Sequence, residues 1–376
     1  MAQLHLSDAG QAAYADRLNG SHDFTIDVDV LDMEENLIGP LTFLDGQVNF
    51  QRQERDSNNG IARTGNLVLS DAFDLIQVSL WQGESFGDKL IRVRHSLDVP
   101  GFGTVTVGVG VFVISQPQGD AYELTLEMQD KSALAVRGTK PYRVKKGANA
   151  VAAWTAILRD TVGERKFRVP TGVKTRLPDT LNVGWSDDAS PWAICQKIAN
   201  VLGMEQFYDV DGYATLRPTE QGDPVWVFDT DVNVTSLPTG AYDWADAVNY
   251  VRVGGGKKGS APGIAQAPAG HPNSPSKLGR NGVPRYLPFI SDKGYKRAGD
   301  RRAAAARILI RELPMNNDMS WPVIPVFHLD VGDPVRLLTP EGFTTVRLQE
   351  ASIPLGVGGD MTVGAVRPVS GGYVRG

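Results

Sequence analysis

The segment Ser190 to Pro218, SPWAICQKIANVLGMEQFYDVDGYATLRP, constrains the fold more than any other part of the chain, because both ends of a helix and the turn that follows are written into it. Ser190 is a good N-cap, and Pro191 suits the first helical position, where its missing N–H costs nothing. Gly203 stands where a helix needs a left-handed stop. Between these marks Ile194, Ile198 and Val201 or Leu202 recur at helical spacing. Beyond them Phe207-Tyr208 and Tyr213 to Leu216 flank Asp211-Gly212, a two-residue hairpin signal. One helix and two strands are predicted, a packing module that carries no catalytic chemistry.

This module is preceded by GVFVISQPQGDAYELTLEMQDKSA (Gly110 to Ala133), with its Asp-Lys-Ser turn. It is followed by AVNYVRVGG (Ala247 to Gly255), an alanine-rich helix from about Gly299, and LDVGDPVRLLTPEGFTTVRLQEASIPL (Leu329 to Leu355). In that order the motifs resemble the tail hub proteins of long-tailed bacteriophages and related injection devices, over most of the chain. The resemblance implies a mainly β fold with some α, in which two tail-tube-like antiparallel β-barrels or sandwiches flank a small α+β middle domain. It implies a structural protein of the virion tail tip, assembled in the host cytoplasm as a homotrimer around a channel. That hub would join the tail tube or a distal ring to the central fibre or host-binding tip. The implied partners are a distal tail or tail-tube ring protein, the tape measure protein, and the central fibre or other minor tail proteins. DNA would be met only in transit, and no cofactor is expected.

A chain of 376 residues exceeds the usual size of a single core, so two or three packed units are expected. No run of about 18 apolar residues exists, and the first residues lack a basic region followed by an apolar stretch. Neither a membrane span nor secretory export is expected. The lone cysteine, Cys195, falls on the capped helix and reads as a small core residue; it can form no intrachain disulfide and no cysteine metal cluster. His5, His22, His95, His271 and His328 are scattered without ligand spacing. The net charge of −5 hides an acidic stretch up to about residue 135 and basic stretches over Arg137 to Arg176 and Lys257 to Arg302. Lys140, Arg143, Lys145 and Lys146 have only Tyr142 among them for stacking, which favours a solvated or protein-facing surface over nucleic acid.

Residues 1–22 read as an N-terminal arm, with Ser7 capping a short helix whose Ala12, Tyr14 and Leu18 dock on the body. From 23 to 135 a first β-barrel is expected. In DFTIDVDVL, Phe24, Ile26, Val28 and Val30 share one face and Thr25, Asp27 and Asp29 the other. Further strands are predicted at Gln47–Phe50, Asn66–Leu69, Leu75–Trp81, Leu90–Arg94, Thr104–Ser115 and Tyr122–Met128. Residues 136–222 form the α+β middle, with a first helix near Ala148–Val162 and with Trp154 and Trp192 as core anchors.

Residues 223–376 form the second barrel, with strands at Val225–Phe228, Val248–Val253, Val335–Leu338, Thr344–Ser352 and Met361–Arg367 and a helix over Gly299–Leu313. Leu97 to Asp120 and Leu329 to Asp360 both open Leu-Asp-Val, pass through two strands and reach a Ser-x-Pro turn, a weak echo of duplication. Were it real, a trimer would present six similar units.

Two polar loops are candidate partner contacts. Arg55 to Gly65 offers Arg55, Asn58 and Arg63, in a role carried by the resemblance. Gly254 to Arg285 is rich in Gly, Pro, Ala and Ser and offers Lys257, Lys258, Lys277, Arg280 and Arg285. It is expected to be flexible, either an arm that orders on a partner ring or a spacer. An acidic channel wall would repel DNA, and Asp27 and Asp29 are the candidate lumen-facing acids.

The search for chemistry assigns no catalytic, cofactor-binding or metal-ligating residue. Asp209, Asp211 and Gly212 begin like a calcium loop without its remaining acids. The run Gly254 to Ser260 lacks the phosphate-loop order, and Gly101-Phe102-Gly103 opens no helix. Ser186 has no esterase elbow around it. Paired carboxylates can meet only in space. Two other classes stay open: a carbohydrate- or receptor-binding tail protein that uses Trp185 or Trp244, and a cell-wall hydrolase.

Overall fold

The computed structural model describes residues 6–20, 24–51, 63–70, 86–119, 123–136, 141–184, 190–218, 223–236, 239–241, 248–255, 261–269, 274–275, 290–292, 295, 297–312, 318–330, 332–339, 342–356 and 358–366. The fold is mainly β with some α. Helix α1 (Asp8–Asn19) is capped by Ser7, whose side chain accepts from the Gly10 N–H. Tyr14 and Leu18 of α1 are buried on the body, whereas Ala12, expected beside them, is exposed. Strands β1 (Phe24–Asp32), β2 (Leu37–Pro40), β3 (Asp45–Gln51), β4 (Arg63–Ser70), β5 (Lys89–Val99), β6 (Gly103–Gly119) and β7 (Glu123–Asp130) follow. The strand predicted at Leu75–Trp81 lies outside the described residues.

Next come α2 (Ser132–Ala135), β8 (Tyr142–Val144), α3 (Ala150–Val162), β9 (Phe167–Arg168), β10 (Leu181–Val183), α4 (Pro191–Leu202), β11 (Met204–Tyr208) and β12 (Ala214–Pro218). The helix marks read from sequence are in place: Ser190 caps the Ala193 N–H, and Gly203 takes a left-handed φ of 70°. Gly163, which sequence reading had not singled out, ends α3 in the same way with a φ of 85°. Helices α3 and α4 close a core with the β11–β12–β9 sheet around Trp154, Trp192, Ile198, Tyr208 and Leu216. Trp154 Nε1 donates to Gln206 Oε1 at 2.8 Å, so this fully buried ring also satisfies the polar atom it carries. Cys195 is buried here, and burial pushes its thiol well up.

The remaining elements are β13 (Trp226–Asp229), β14 (Thr239–Ala241), β15 (Tyr250–Gly255), β16 (Gly263–Gln266), β17 (Ile290–Asp292), α5 (Ala298–Glu312), β18 (Asp318–Val323), β19 (Pro334–Thr339), β20 (Gly342–Pro354) and β21 (Met361–Val366). Strands β16–β15–β17 and α5 make a small unit whose core holds Val251, Val253, Ala267, Ala304, Ala305 and Leu309. This corrects the flexible reading of 254–285 for the part described. Gly263–Gln266 pairs antiparallel with β15, because the alanines of α5 let helix and sheet approach closely. A Cβ on Gly263 would lie 2.2 Å from the Arg301 carbonyl carbon.

The two expected barrels are not closed. Their described strands belong to one 13-stranded sheet in the order β14-β18-β21-β20-β3-β4-β7-β6-β5-β1-β2, with β13 and β19 off that path; the exception is the strand expected at Val248–Val253, which is β15 of the small unit. The reason is strand length. Strand β20 has 13 residues and its hairpin partner β19 only six, so Glu350 to Pro354 extend past β19 and pair with Gln51 to Gln47 of β3. One hydrophobic core runs across that junction, from Val28, Leu97 and Phe112 to Trp321, Phe327 and Val363.

The sheet is nevertheless a duplication. Six strands of the first half run β1-β5-β6-β7-β4-β3, and six of the second run β13-β19-β20-β21-β18-β14, the same spatial path for the same chain order. Even the irregularities coincide. Strand β6 skips Ser115 where it pairs with β7, and β20 skips Gln349 where it pairs with β21. This makes Gln116 equivalent to Glu350 and Gln118 to Ser352. Following the ladders outward, Gln47, Val48 and Asn49 of β3 correspond to Thr239, Gly240 and Ala241 of β14. The Leu-Asp-Val and Ser-x-Pro echoes marked the right strands but not equivalent residues. Leu97 to Val99 are the last three residues of β5 whereas Leu329 precedes β19, and both Ser-x-Pro sequences lie inside long strands. One pairing departs from the repeat: β1 is antiparallel to β5, but β13 is parallel to β19.

Candidate functional site

The densest polar chemistry lies where the middle unit meets the large sheet. Lys131 follows β7, and its Nζ is 2.6 Å from Glu35 Oε1 and 2.7 Å from Glu164 Oε2. It also donates to the Gly212 carbonyl at 3.1 Å. Lys166 pairs with the other oxygen of Glu35. Burial by itself would raise the Glu35 carboxyl, but Lys131 and Lys166 outweigh it and hold the group below its usual range.

Arg63, at the start of β4, pairs with Asp330 and donates to the Tyr208 carbonyl. Its own N–H donates to Asp130 Oδ2 at 2.9 Å. Asp130 in turn accepts from the Ser132 N–H at 2.9 Å and from the Ser132 hydroxyl, so one carboxylate holds both the first N–H of α2 and the first residue of the neighbouring strand β4. Burial pushes the Asp130 carboxyl up, against the hydrogen bonds from Ser132 and Arg63.

The hairpin between β11 and β12 is held onto β6 by shape. A Cβ on Gly108 would lie 2.8 Å from the Val210 carbonyl oxygen, and one on Gly212 would lie 3.0 Å from the Val111 side chain. Asp209 has its acceptors filled. One oxygen takes the Asp211 and Tyr213 N–H groups at 3.0 Å each; the other takes the Thr215 hydroxyl and, at 2.6 Å, Arg168. This is the wiring of a turn, not of an ion site. Among the described residues, no three His, Cys, Asp or Glu side chains gather as metal ligands, and no helix is long and apolar enough to cross a membrane.

The residues proposed from sequence separate. Arg63 is a correction: it is 1 % exposed inside the junction and offers nothing to a partner, because its charge is spent on Asp330 and Tyr208. Arg55, Asn58, Lys257, Lys258, Lys277, Arg280 and Arg285 lie outside the described residues, as do Trp185, Ser186 and Trp244. Asp29 is a second correction. It is 6 % exposed and paired with Arg92 at 2.7 Å and Arg94 at 2.8 Å, so it puts no free negative charge on a channel wall. Asp27 is half-buried and accepts from the Ser96 hydroxyl at 2.9 Å.

Sequence reading passed over Glu35, Glu164 and Asp330 because nothing local distinguishes a buried acid from a surface one. It also passed over the exposed apolar side chains Leu37, Leu44, Phe102 and Phe343. These lie at the strand ends and turns around β2, β3, β6 and β20.

No protein-family model matches the sequence, and no curated protein matches it. Solved structures do. A tail protein from Neisseria meningitidis MC58 superposes with a TM-score of 0.64 at 12 % identity, covering 91 % of this chain and 96 % of the other. The 43 kDa tail protein of prophage MuSo2 from Shewanella oneidensis gives 0.61 at 12 % identity, over 91 % and 98 %. A prophage tail protein from Listeria monocytogenes EGD-e gives 0.55 at 13 % identity, over 92 % and 95 %. Across nine-tenths of its length, this chain has the fold of phage tail proteins.

Proposed function

We propose that this chain is a structural protein of a phage tail, and within the tail the homotrimeric hub of the tip. The observation that carries the reading is the register-matched duplication of the six-strand module. Three copies of a two-module chain make a ring of six similar units with true threefold symmetry. Such a ring can sit on a sixfold tail-tube or distal ring and present three equal sites to a central fibre. The fold shared with solved tail proteins supports the same setting.

The work of such a protein is geometric: it holds partners in register and leaves an axial channel for the tape measure protein and then DNA. The buried junction suits this task, since Arg63, Lys131 and their acids tie the middle unit to both halves of the sheet. No step of bond chemistry is assigned to any residue.

The test is the native mass of the purified protein by light scattering across a concentration series, with a top-view image of the oligomer. A trimer with a central opening is expected. A hexamer would move the chain to the distal ring, and a monomer at every concentration would overturn the hub reading. Loss of the gene should give particles that lack an assembled tail tip.

A further inference from the structure

The duplication also indicates how one copy meets the next. Inside the chain the two modules are joined by one strand junction: the end of β20 that outruns β19 takes β3 of the other module along its free edge. The equivalent of β20 in the first module is β6, which outruns its own hairpin partner in the same way. Strand β5 covers β6 only from Gly103 to Val113, while β7 covers the opposite edge as far as Gly119. On the β5 side, Ile114 to Gly119 pair with no strand among the described residues, and Ser115 to Gln118 are exposed. The equivalent of β3 is β14, which pairs with β18 along one edge and with no described strand along the other. Among the described residues, then, one half of the junction made internally is left over at β6 and the other half at β14, and the two halves are complementary. An unpaired row of backbone N–H and C=O groups is a template for another strand.

We infer that the free edge of β6 in one copy pairs antiparallel with β14 of a second copy, repeating between chains the β20–β3 junction within the chain. The register follows from the internal one. Ser352 faces Asn49 and Ile353 faces Val48, so Gln118 faces Ala241 of the second copy and Gly119 faces its Gly240. The contact joins two different surfaces, so it propagates head to tail and closes into a ring when the rotation allows. In this way every module-to-module step around the ring is the same step, made alternately within and between chains. This inference rests on the ring reading and adds to it the surfaces and the register.

The test uses the full chain with Gln118→Cys and Ala241→Cys as single variants, mixed and mildly oxidised. Directly opposed residues on paired strands have Cβ atoms about 4.5–5.5 Å apart, close enough for a disulfide after small adjustment. Cys195 is buried and serves as the silent background. The mixture should give a covalent dimer and neither single variant should give one. The double variant should give a three-chain covalent species on a denaturing gel. Gln116→Cys mixed with Ala241→Cys, two residues out of register, should stay unlinked.

A trimer in solution that forms no Gln118–Ala241 link overturns the edge pairing and leaves the hub reading standing. A monomer at every concentration, with no link, overturns both. Linking by Gln118→Cys alone, or equally well by Gln116→Cys, overturns the head-to-tail register.

Discussion

Arg63 and Asp330 stand 267 residues apart in sequence and form a buried ion pair, each side chain 2 % exposed. Arg63 opens β4 in the first half of the sheet, Asp330 precedes β19 in the second, and the same guanidinium holds the Tyr208 carbonyl of the middle unit. A single cation thus touches all three parts that assembly would have to keep in register.

Replacing one member of this pair should be worse than replacing both. Arg63→Met strands Asp330 in the interior and should cost about 3–5 kcal/mol, the range for a buried charge that loses its partner. Arg63→Met with Asp330→Leu should recover much of the loss, since an apolar pair of similar volume carries no desolvation penalty. Urea unfolding of the three proteins checks this, and equal losses in the single and double variants would contradict it.

Lys131→Met should reverse the sign of the acid response. In the native protein the Glu35 carboxyl is held below its usual range, so its contribution is present at neutral pH and is lost as pH falls through that lowered value. Without Lys131 only Lys166 is left to offset the burial of Glu35, so its carboxyl is pushed up and protonation relieves it. The variant should be destabilised by about 3–5 kcal/mol at pH 7 and should gain on the native protein as pH falls toward 4. Thermal melts from pH 7 to 4 measure both slopes.

His328 is packed edge-on against Tyr14 and Trp226, and burial lowers its pKa from 6.5 to about 4. The folded state therefore favours neutral imidazole. That stability is complete above the unfolded pKa and is lost as pH falls from 6.5 to about 4, where the unfolded chain binds the extra proton. The contribution is on the order of 3 kcal/mol. His328→Phe should flatten the stability profile across that window, measured by denaturant unfolding, with α1 still docked.

Two glycines of the small unit should respond in opposite directions. Gly263→Ala drives a methyl into the Arg301 backbone, which has no flexible end to yield, and should cost about 1–3 kcal/mol or more with loss of amide protection in β15, β16 and α5. Gly299→Ala meets nothing within 4 Å in the exposed first turn of α5 and should stabilise the helix by about 0.5–1 kcal/mol. Hydrogen exchange of the two variants separates the effects.

Local order was legible in the sequence wherever local chemistry decides it. Ser190, Pro191, Gly203 and Asp211-Gly212 specify a helix and hairpin through capping and turn geometry, interactions that span four or five residues and need no distant partner. The alternation in β1 and the tryptophans Trp154 and Trp192 marked faces that are buried, although Asp29 on the polar face of β1 is buried by two arginines of β5.

Strand partnership was not legible, because a ladder is made of backbone groups that every residue carries. Nothing in ASIP or QVNF states that β20 pairs with β3 and thereby joins the two halves. The same holds for Arg63 and Lys131, whose sequence neighbours read as a polar loop and a turn; only the convergence of distant acids makes them buried ties. By itself, then, the sequence determined the helices, the turns and the buried faces of the strands, through short-range sterics and hydrophobic periodicity. The tertiary structure alone decided which edges meet, which charges are buried and which residues of the two six-strand modules are equivalent, because those outcomes depend on strand length and register across hundreds of residues.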